Sequence, residues 1–124
     1  NWKNYKGDLP YKKKENGLFP YYYTFNAENN KIHNYFTEKL VDGILSECLT
    51  IYWGCPNINE YINNDSIVYL ELKDFEKDYI KVKEILDGFE WENRISSIKK
   101  DKDKLLDEMQ LFPRLSNIIN ENKD

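Results

Sequence analysis

The sequence has few of the residues that build disulfide frameworks and metal centres. Among its 124 residues there are two cysteines and one histidine. Cys48 falls near the end of a predicted helix and Cys55 just after the next apolar run. A bridge between them would close a very short loop, so we expect two free thiols. With no second cysteine pair, and with His33 inside the polar run ENNKIHN, no metal site is predicted and His33 is interpreted as an exposed loop residue.

Long apolar runs and an excess of positive charge are also missing. No run approaches the roughly 20 apolar residues that a membrane helix needs, and no signal peptide is visible. The net charge is −4, which argues against a nucleic-acid partner, because a general nucleic-acid binder would usually carry a basic face. The chain begins at Asn1 and its one methionine is Met109. We therefore expect a piece of a longer protein, in which a missing signal or anchor means little.

The length allows one domain with one modest core, and we divide residues 1–124 into three parts. Residues 1–20 are polar and interrupted by glycines and prolines, which predicts an irregular lead-in. Residues 21–75 predict a Rossmann-like core, and residues 76–124 predict C-terminal helices.

Alternating strand and helix patterns predict the core. Apolar, β-prone runs predict strands from about Tyr21 to Phe25, Leu49 to Trp53 and Ser66 to Leu70. Between the first two, a capped amphipathic pattern predicts a helix from about Thr37 to Glu47. A turn of helix is also possible between Asn59 and Tyr61. Strand, helix, strand, short connection and strand in this order predict an α/β fold with a small parallel sheet. Tyr52 and Trp53 are interpreted as core residues of the second strand rather than ligand contacts.

The C-terminal part changes to helical periods. Asp74 can cap a helix that ends near Gly88, and a second helix is predicted from about Glu92 to Gln110. Pro113 can start a last short helix. The apolar positions at helical spacing are Phe75, Tyr79, Val82, Leu86 and Phe89 in the first helix; the second places Ile95, Ile98, Leu105 and Met109 on one side, and the last carries Leu115, Ile118 and Ile119.

The candidate binding signal is Thr37-Glu38-Lys39 at the start of the core helix. A helix N-terminus carries roughly half a positive charge, so a lysine there is locally unfavourable. A diphosphate bound between Lys39 and the free N–H groups would offset that interaction. Glu38 beside it could accept hydrogen bonds from a ribose or sugar diol. Spacing alone favours the purely structural explanation, which is a capped helix start without a ligand.

Three motifs in register carry a more specific signal. They are FNAEN from Phe25 to Asn29, YFTEKLVDGIL from Tyr35 to Leu45, and TIYWGCPN from Thr50 to Asn57. Their order and gaps resemble the C-terminal half of the α1,3-fucosyltransferases, which carry F-x-x-E-N, then Y-x-T-E-K, a helix, and a strand ending in P-x-Y-x-G-x-P. The resemblance covers about Tyr21 to Phe75. Two positions depart from the family pattern: Thr50 stands where proline is usual, and Ala27 where the family tends to be bulkier.

The resemblance implies the C-terminal lobe of a two-lobed GT-B glycosyltransferase that holds GDP-fucose. It implies that Lys39 and Tyr35 contact the diphosphate and Glu38 the ribose, while Glu28 and Asn29 line the sugar or order the loop. Structural alternatives stay open for three of these residues. Glu28 could cap the loop, Tyr35 could pack at the helix edge, and Asn29 could be a turn residue.

The same resemblance implies an inverting transfer of fucose to a sugar hydroxyl of a glycan or glycoprotein acceptor, bound through an N-terminal lobe that this sequence does not contain. The family's catalytic base and phosphate-binding arginine lie upstream, and neither Arg94 nor Arg114 matches that arginine. No catalytic residue is therefore assigned, and no motif requires a divalent metal.

The resemblance is partial, so two alternative functions stay open. The alternatives are a noncatalytic nucleotide-binding or interaction remnant of the fold, and a glycosyltransferase with a different nucleotide sugar. A full-length eukaryotic homologue would lie at the Golgi membrane, and a bacterial or viral one in the cytoplasm. We also expect Trp2, Tyr5 and Phe112 on a surface that a partner lobe would cover.

Overall fold

A computed structural model describes Asp8, Lys13 and residues 17–107 and 118–121 of the chain. Its sheet has three strands, β1 (Tyr23–Ala27), β2 (Leu49–Trp53) and β3 (Ile67–Tyr69). The strands lie in the order β1-β2-β3, and both pairings are parallel. The predicted α/β fold with a parallel sheet is therefore confirmed. Trp2, Tyr5 and Phe112 lie outside the described residues.

The first strand lies two residues further along the chain than predicted. Tyr21 donates its N–H to the carbonyl of Leu18 and so belongs to a turn, and pairing starts with Tyr23 opposite Leu49. The strand then continues through Asn26 and Ala27, because β2 still offers partners there. At the third strand, Ser66 belongs to a short 3₁₀ turn (Asn64–Ser66), so β3 starts one residue later than predicted. Another 3₁₀ turn (Ile58–Glu60) fills the predicted helical turn after β2.

Helix α1 (Glu38–Leu45) connects β1 to β2 and packs closely on the sheet. Its apolar side chains Leu40 and Ile44 are fully buried. Close approach depends on Gly43, where an added Cβ would lie 2.4 Å from Thr50 Oγ1. The helix ends two residues earlier than predicted, because Glu47 adopts a positive φ of 60° and turns the chain toward β2.

Helices α2 (Phe75–Asp87) and α3 (Glu90–Asp107) follow the sheet. In α3, Ile98 and Leu105 are buried as predicted, and the helix starts two residues before Glu92. In α2, only part of the predicted apolar stripe meets the core. Phe75 is 77% exposed and Tyr79 is 54% exposed, whereas Ile85 is buried. Only the stripe through Ile85 and the half-buried Val82 joins the hydrophobic core.

An aromatic cluster fixes the start of α3 against the sheet. The rings of Tyr22, Phe89 and Trp91 lie within 4.6–6.0 Å of one another by centroid. The indole N–H of Trp91 donates to the carbonyl of Glu47 over 2.8 Å, and Tyr23 accepts from the main-chain N–H of Trp91. The cluster therefore holds α3 against the end of α1 and the beginning of β1.

Both cysteines are buried free thiols, as predicted. The Cys48 thiol points at the carbonyls of Leu18 and Tyr21, and burial raises its pKa. No helix within the described part of the chain is long and apolar enough to cross a bilayer.

Candidate functional site

Three loops meet where the parallel strands end, beside the N-terminus of α1. The loop after β1 spans residues 28–36, and the loops after β2 and β3 begin at Gly54 and Leu70. In parallel α/β sheets this carboxyl edge is where ligands bind, because the crossover helices point their free N–H groups there. All five predicted site residues lie in the first loop or in the first turn of α1.

Glu28 holds the start of α1 in place. Its side chain is 4% exposed, and its two carboxylate oxygens accept from the N–H of Thr37 over 2.9 Å and from the Thr37 hydroxyl over 2.7 Å. Thr37 in turn accepts from the N–H of Lys39 and caps the helix. An added Cβ on Gly54 would lie 2.5 Å from Glu28 Cγ, so only glycine there leaves room for this carboxylate.

Tyr52 extends the Glu28 contact into the core. Its hydroxyl donates to Glu28 Oε1 over 3.3 Å and accepts from the N–H of Cys55 over 3.1 Å. Burial, together with the nearby Glu28 carboxylate, raises the pKa of Tyr52 well above its ordinary value. This tyrosine is therefore neutral and links Glu28 to the main chain of Cys55 by hydrogen bonds, which agrees with its interpretation as a core residue.

Lys39 and Asn29 meet at the open side of the helix start. The Lys39 ammonium donates to the Asn29 side-chain oxygen over 2.8 Å, and Asn29 is exposed. No carboxylate within the described ranges lies in salt-bridge distance of Lys39. The lysine charge at the positive end of α1 is thus held by a neutral amide and stays available to an anion.

Glu38 and Tyr35 are also exposed near the start of α1. Glu38 is the first residue of α1, and its carboxylate makes no hydrogen bond or ion pair with any other described residue. Tyr35 is 44% exposed, with its N–H bonded to the carbonyl of Ile32. Both side chains lie on the surface and are accessible to a ligand.

An asparagine pair that the sequence interpretation missed fixes the loop before α1. Asn34 adopts a φ of 60°, a conformation that asparagine tolerates better than most residues. Its N–H donates to Asn57 Oδ1 over 2.9 Å, and its own side-chain oxygen accepts from Asn57 Nδ2 and from the Tyr61 hydroxyl, each over 2.7 Å. Phe36 packs on the Tyr61 ring at a centroid distance of 5.3 Å. The loop after β2 therefore buttresses the loop that presents Tyr35.

A second missed contact joins the first loop to the loop after β3. Lys31 forms an ion pair with Glu71 over 2.8 Å and lies 5.8 Å from the ring centroid of Tyr69. The hydrogen bond from Lys31 lowers the pKa of Glu71. Tyr69 donates its hydroxyl to the carbonyl of Gly54 over 3.0 Å. All three loops at the sheet edge are thus joined by side chains from residues 31, 34, 57 and 69.

The chemistry available at this edge is recognition of an anion. The helix N-terminus and Lys39 supply positive potential, while Asn29, Tyr35 and Glu38 supply polar groups that can orient a ligand. Within the part of the chain that the structure describes, no three His, Cys, Asp or Glu side chains are grouped to hold a metal ion. The sequence predicted Lys39 at the start of the helix and Asn29 in the loop before it, but it did not predict the contact between them or the burial of Glu28.

Parallel strands, a crossover helix and a polar edge at its N-terminus define a Rossmann-like lobe of the GT-B kind. In sequence, the chain is similar to the α-(1,3)-fucosyltransferase FucT of Helicobacter pylori. The two are 36% identical over 81 residues, which is 61% of this chain and 17% of the relative. No protein-family model matches the sequence.

Solved α1,3-fucosyltransferase structures share the fold. One determined with GDP-fucose has a TM-score of 0.63 and 26% identity, and one determined with GDP has a TM-score of 0.60 and 27% identity. The match to the first structure covers 76% of this chain and 28% of the solved chain, and the match to the second covers 68% of this chain and 25% of the solved chain. The resemblance to the C-terminal half of the α1,3-fucosyltransferases is therefore confirmed in sequence and in fold. The chain spans about a quarter or less of the length of the proteins it matches.

Proposed function

We propose that this chain is the donor-binding lobe of a glycosyltransferase that transfers fucose from GDP-fucose to a sugar hydroxyl of a glycan acceptor. The observation that carries the proposal is the Lys39 ammonium, which stands at the N-terminus of α1 without a carboxylate partner in the described residues. Similar solved proteins were determined with GDP-fucose and with GDP, both of which carry a diphosphate.

Lys39 and the first N–H groups of α1 bind the diphosphate in this proposal. Both supply positive charge, and a diphosphate brings the negative charge that makes a lysine favourable at this end of a helix. Tyr35 contacts the same phosphates through its hydroxyl, and Glu38 accepts from the ribose hydroxyls. Asn29 holds the Lys39 side chain and lies near the transferred sugar.

Glu28 acts as a positioning residue rather than a donor contact. Both of its carboxylate oxygens already accept hydrogen bonds, and the side chain is buried. Of the two roles that the family resemblance implied for Glu28, ordering the loop is the one this geometry supports.

The proposed reaction is an inverting displacement. A base abstracts the proton of the acceptor hydroxyl, the resulting oxygen attacks the anomeric carbon of fucose, and GDP departs from the opposite face. Lys39 and the helix N-terminus stabilise the negative charge that grows on the departing diphosphate. No residue of this chain is assigned as the base. The acceptor binds to a second lobe, which is part of the longer protein that we propose.

The test is calorimetric titration of the chain with GDP, followed by the same titration of Lys39→Met. We expect millimolar or tighter binding to the parent chain. The variant keeps the length of the side chain without its charge, so its affinity should fall by about 1.5–3 kcal/mol, or about ten- to a hundredfold. Its free energy of unfolding should change by no more than a few tenths of a kcal/mol, because a mismatched charge leaves the helix N-terminus.

Lys83→Met is the matched control, since Lys83 lies on α2 and pairs there with Asp87. Its GDP affinity should equal that of the parent chain. Absence of GDP binding at millimolar concentration would refute the donor-site proposal and favour a noncatalytic remnant. Tighter binding of UDP than of GDP would instead indicate a different nucleotide sugar.

A further inference from the structure

A pocket lies along the outer edge of β3, and it does not include the helix start that carries Lys39. It has a volume of about 350 Å³. Its walls are the strand itself, the turn after β2, and the facing sides of α2 and α3. None of Glu28, Asn29, Tyr35, Glu38 and Lys39 lines it. The volume falls in the range of small-molecule sites, which is roughly 300–1,000 Å³.

The strand edge makes one wall of this pocket polar. Leu70 donates its N–H to the carbonyl of Tyr52, so residues 68 and 70 direct their main chain toward β2. Ile67 and Tyr69 alternate with them and direct their N–H and C=O groups outward, along the pocket. Arg94 donates to the carbonyl of Ile67 over 3.4 Å, and Lys81 donates to the carbonyl of Tyr69 over 2.5 Å. The carbonyls of Ile67 and Tyr69 therefore hold the Arg94 and Lys81 side chains next to the outward N–H groups of the same two residues.

The charged side chains that line the pocket are cationic. Lys81 and Arg94 line it, Asn59 and Asn64 add amide groups, and the described lining residues include no aspartate or glutamate. Within the described ranges, Lys81 has no carboxylate in salt-bridge distance, and Arg94 meets only Glu90 over 3.5 Å. Arg94 therefore shares its charge with Glu90, and Lys81 is near enough to Glu71 to contribute to the lowered pKa of that carboxylate, but the hydrogen bond that Lys81 makes at the pocket is to a neutral carbonyl. Arg94 also keeps donors that neither Glu90 nor Ile67 uses, because a guanidinium carries five.

We propose that this pocket binds a phosphorylated small molecule. The phosphate lies between Lys81 and Arg94 and accepts from their free donors and from the outward main-chain N–H groups of β3. The organic part lies against Pro56, Ile58 and Ile85, which give the pocket its apolar side. Sugar phosphates and nucleoside monophosphates share this chemistry. The proposal does not rest on the donor-site function, because the two sites share no lining residue.

The test is a ¹H–¹⁵N NMR titration of the whole chain with inorganic phosphate, glucose 1-phosphate and GMP as separate probes. Saturable shifts of the Ile67 and Tyr69 amide signals are expected with each. The two organic phosphates should bind at least tenfold more tightly than inorganic phosphate, because only they fill the apolar side. The tighter of the two identifies the organic part.

Lys81→Met should weaken binding at these amides at least tenfold, since it removes a charged donor. Lys81 is exposed, so the variant should fold, and its thermal unfolding is measured alongside. Lys83→Met, two residues along the same helix, should leave the titration unchanged. Lys39→Met should do the same, which separates this site from the donor site. An absence of saturable shifts, shifts that Lys81→Met does not affect, or equal affinity for all three probes would overturn the proposal.

Discussion

Replacing Glu28 by glutamine tests whether this buried carboxylate organises the candidate site. Glutamine keeps the shape of the side chain and removes its charge. Its oxygen can still accept from the Thr37 N–H and the Tyr52 hydroxyl. Its NH₂ group can face the Thr37 hydroxyl, which must then turn to accept rather than donate. The contacts therefore survive in number but lose their charge assistance.

The expected loss follows from the difference between charged and neutral hydrogen bonds. Bonds to a charged group contribute about 1.5–3 kcal/mol and neutral ones about 0.5–1.5 kcal/mol, so each of three bonds weakens by roughly 1 kcal/mol. Relief from burying a charge returns part of that loss. We expect Glu28→Gln to lower the free energy of unfolding by about 1–3 kcal/mol. Glu28→Ala should lower it by about 3–5 kcal/mol, because it leaves buried donors without acceptors.

Urea denaturation followed by far-ultraviolet circular dichroism measures both variants. A double-mutant cycle with Thr37→Val isolates the contact between Glu28 and the Thr37 hydroxyl, with an expected coupling of about 0.5–3 kcal/mol. GDP affinity should fall in Glu28→Gln even though the side chain does not reach the ligand, because the helix start loses its anchor. A Glu28→Gln variant as stable as the parent, with no coupling to Thr37, would refute the reasoning.

Three further changes test other parts of the structure. Thr50 is fully buried and its hydroxyl has no hydrogen-bond partner among the described residues, so Thr50→Val should raise the free energy of unfolding by about 1 kcal/mol in urea titrations. If Thr50→Val instead lowers the free energy of unfolding, the hydroxyl forms a hydrogen bond in solution, for example with the amide nitrogen of Asn26, which is also buried without a partner among the described residues. Gly43→Ala should lower the free energy of unfolding by about 1–3 kcal/mol, because the added Cβ would overlap Thr50 Oγ1. Adding Thr50→Ala to that variant should restore part of the lost stability. An unchanged urea midpoint in Gly43→Ala would contradict this prediction. Lys31→Met should raise the pKa of Glu71 toward its ordinary value near 4.5, as read by NMR of the side-chain carboxyl. Because the Glu71 pKa is lowered in the parent, the ion pair stabilises the fold at neutral pH and is lost as the pH falls through that lowered pKa; an identical Glu71 pKa in the variant would disprove the contact.

Local signals were enough to predict the sheet and the start of α1. Thr37 is a good cap, and the apolar spacing after it identifies the buried face with Leu40 and Ile44. The β-prone runs before and after this helix then leave a parallel crossover as the simplest arrangement. Strand ends were less predictable, because Tyr21 has the composition of a strand residue but closes a turn with Leu18.

The face of α2 shows what local signals could not decide. Phe75, Tyr79 and Val82 follow one another at helical spacing along one stripe of the helix, and Ile85 lies three residues after Val82 on the adjacent side. Both sides carry apolar residues, so periodicity alone does not decide which of them meets the core. Burial follows the stripe that meets the rest of the core, and that choice is a property of the assembled fold. Phe75 and Tyr79 consequently stack on each other at the surface, with centroids 6.0 Å apart.

The polar contacts of the site were missed for a related reason. Asn34 and Asn57 are 23 residues apart, and Lys31 and Glu71 are 40 residues apart. No periodic signal connects residues at such separations, and a single sequence offers no covariation to link them. Asn34 alone carried a usable hint, because an asparagine in a polar loop is among the residues that most readily adopt a positive φ.

The arrangement of Glu28, Asn29 and Lys39 explains why a lysine is tolerated at the positive end of α1. The loop offers one carboxylate and one amide in adjacent positions. The carboxylate of Glu28 turns inward, where Thr37 and Tyr52 occupy both of its oxygens. The amide of Asn29 turns outward and holds the ammonium of Lys39. With the opposite assignment, a carboxylate would neutralise Lys39 at the surface and the helix start would lose its anchor. The observed assignment gives an anchored helix N-terminus and an ammonium that has no partner charge among the described residues, and these are the two properties that a diphosphate site needs.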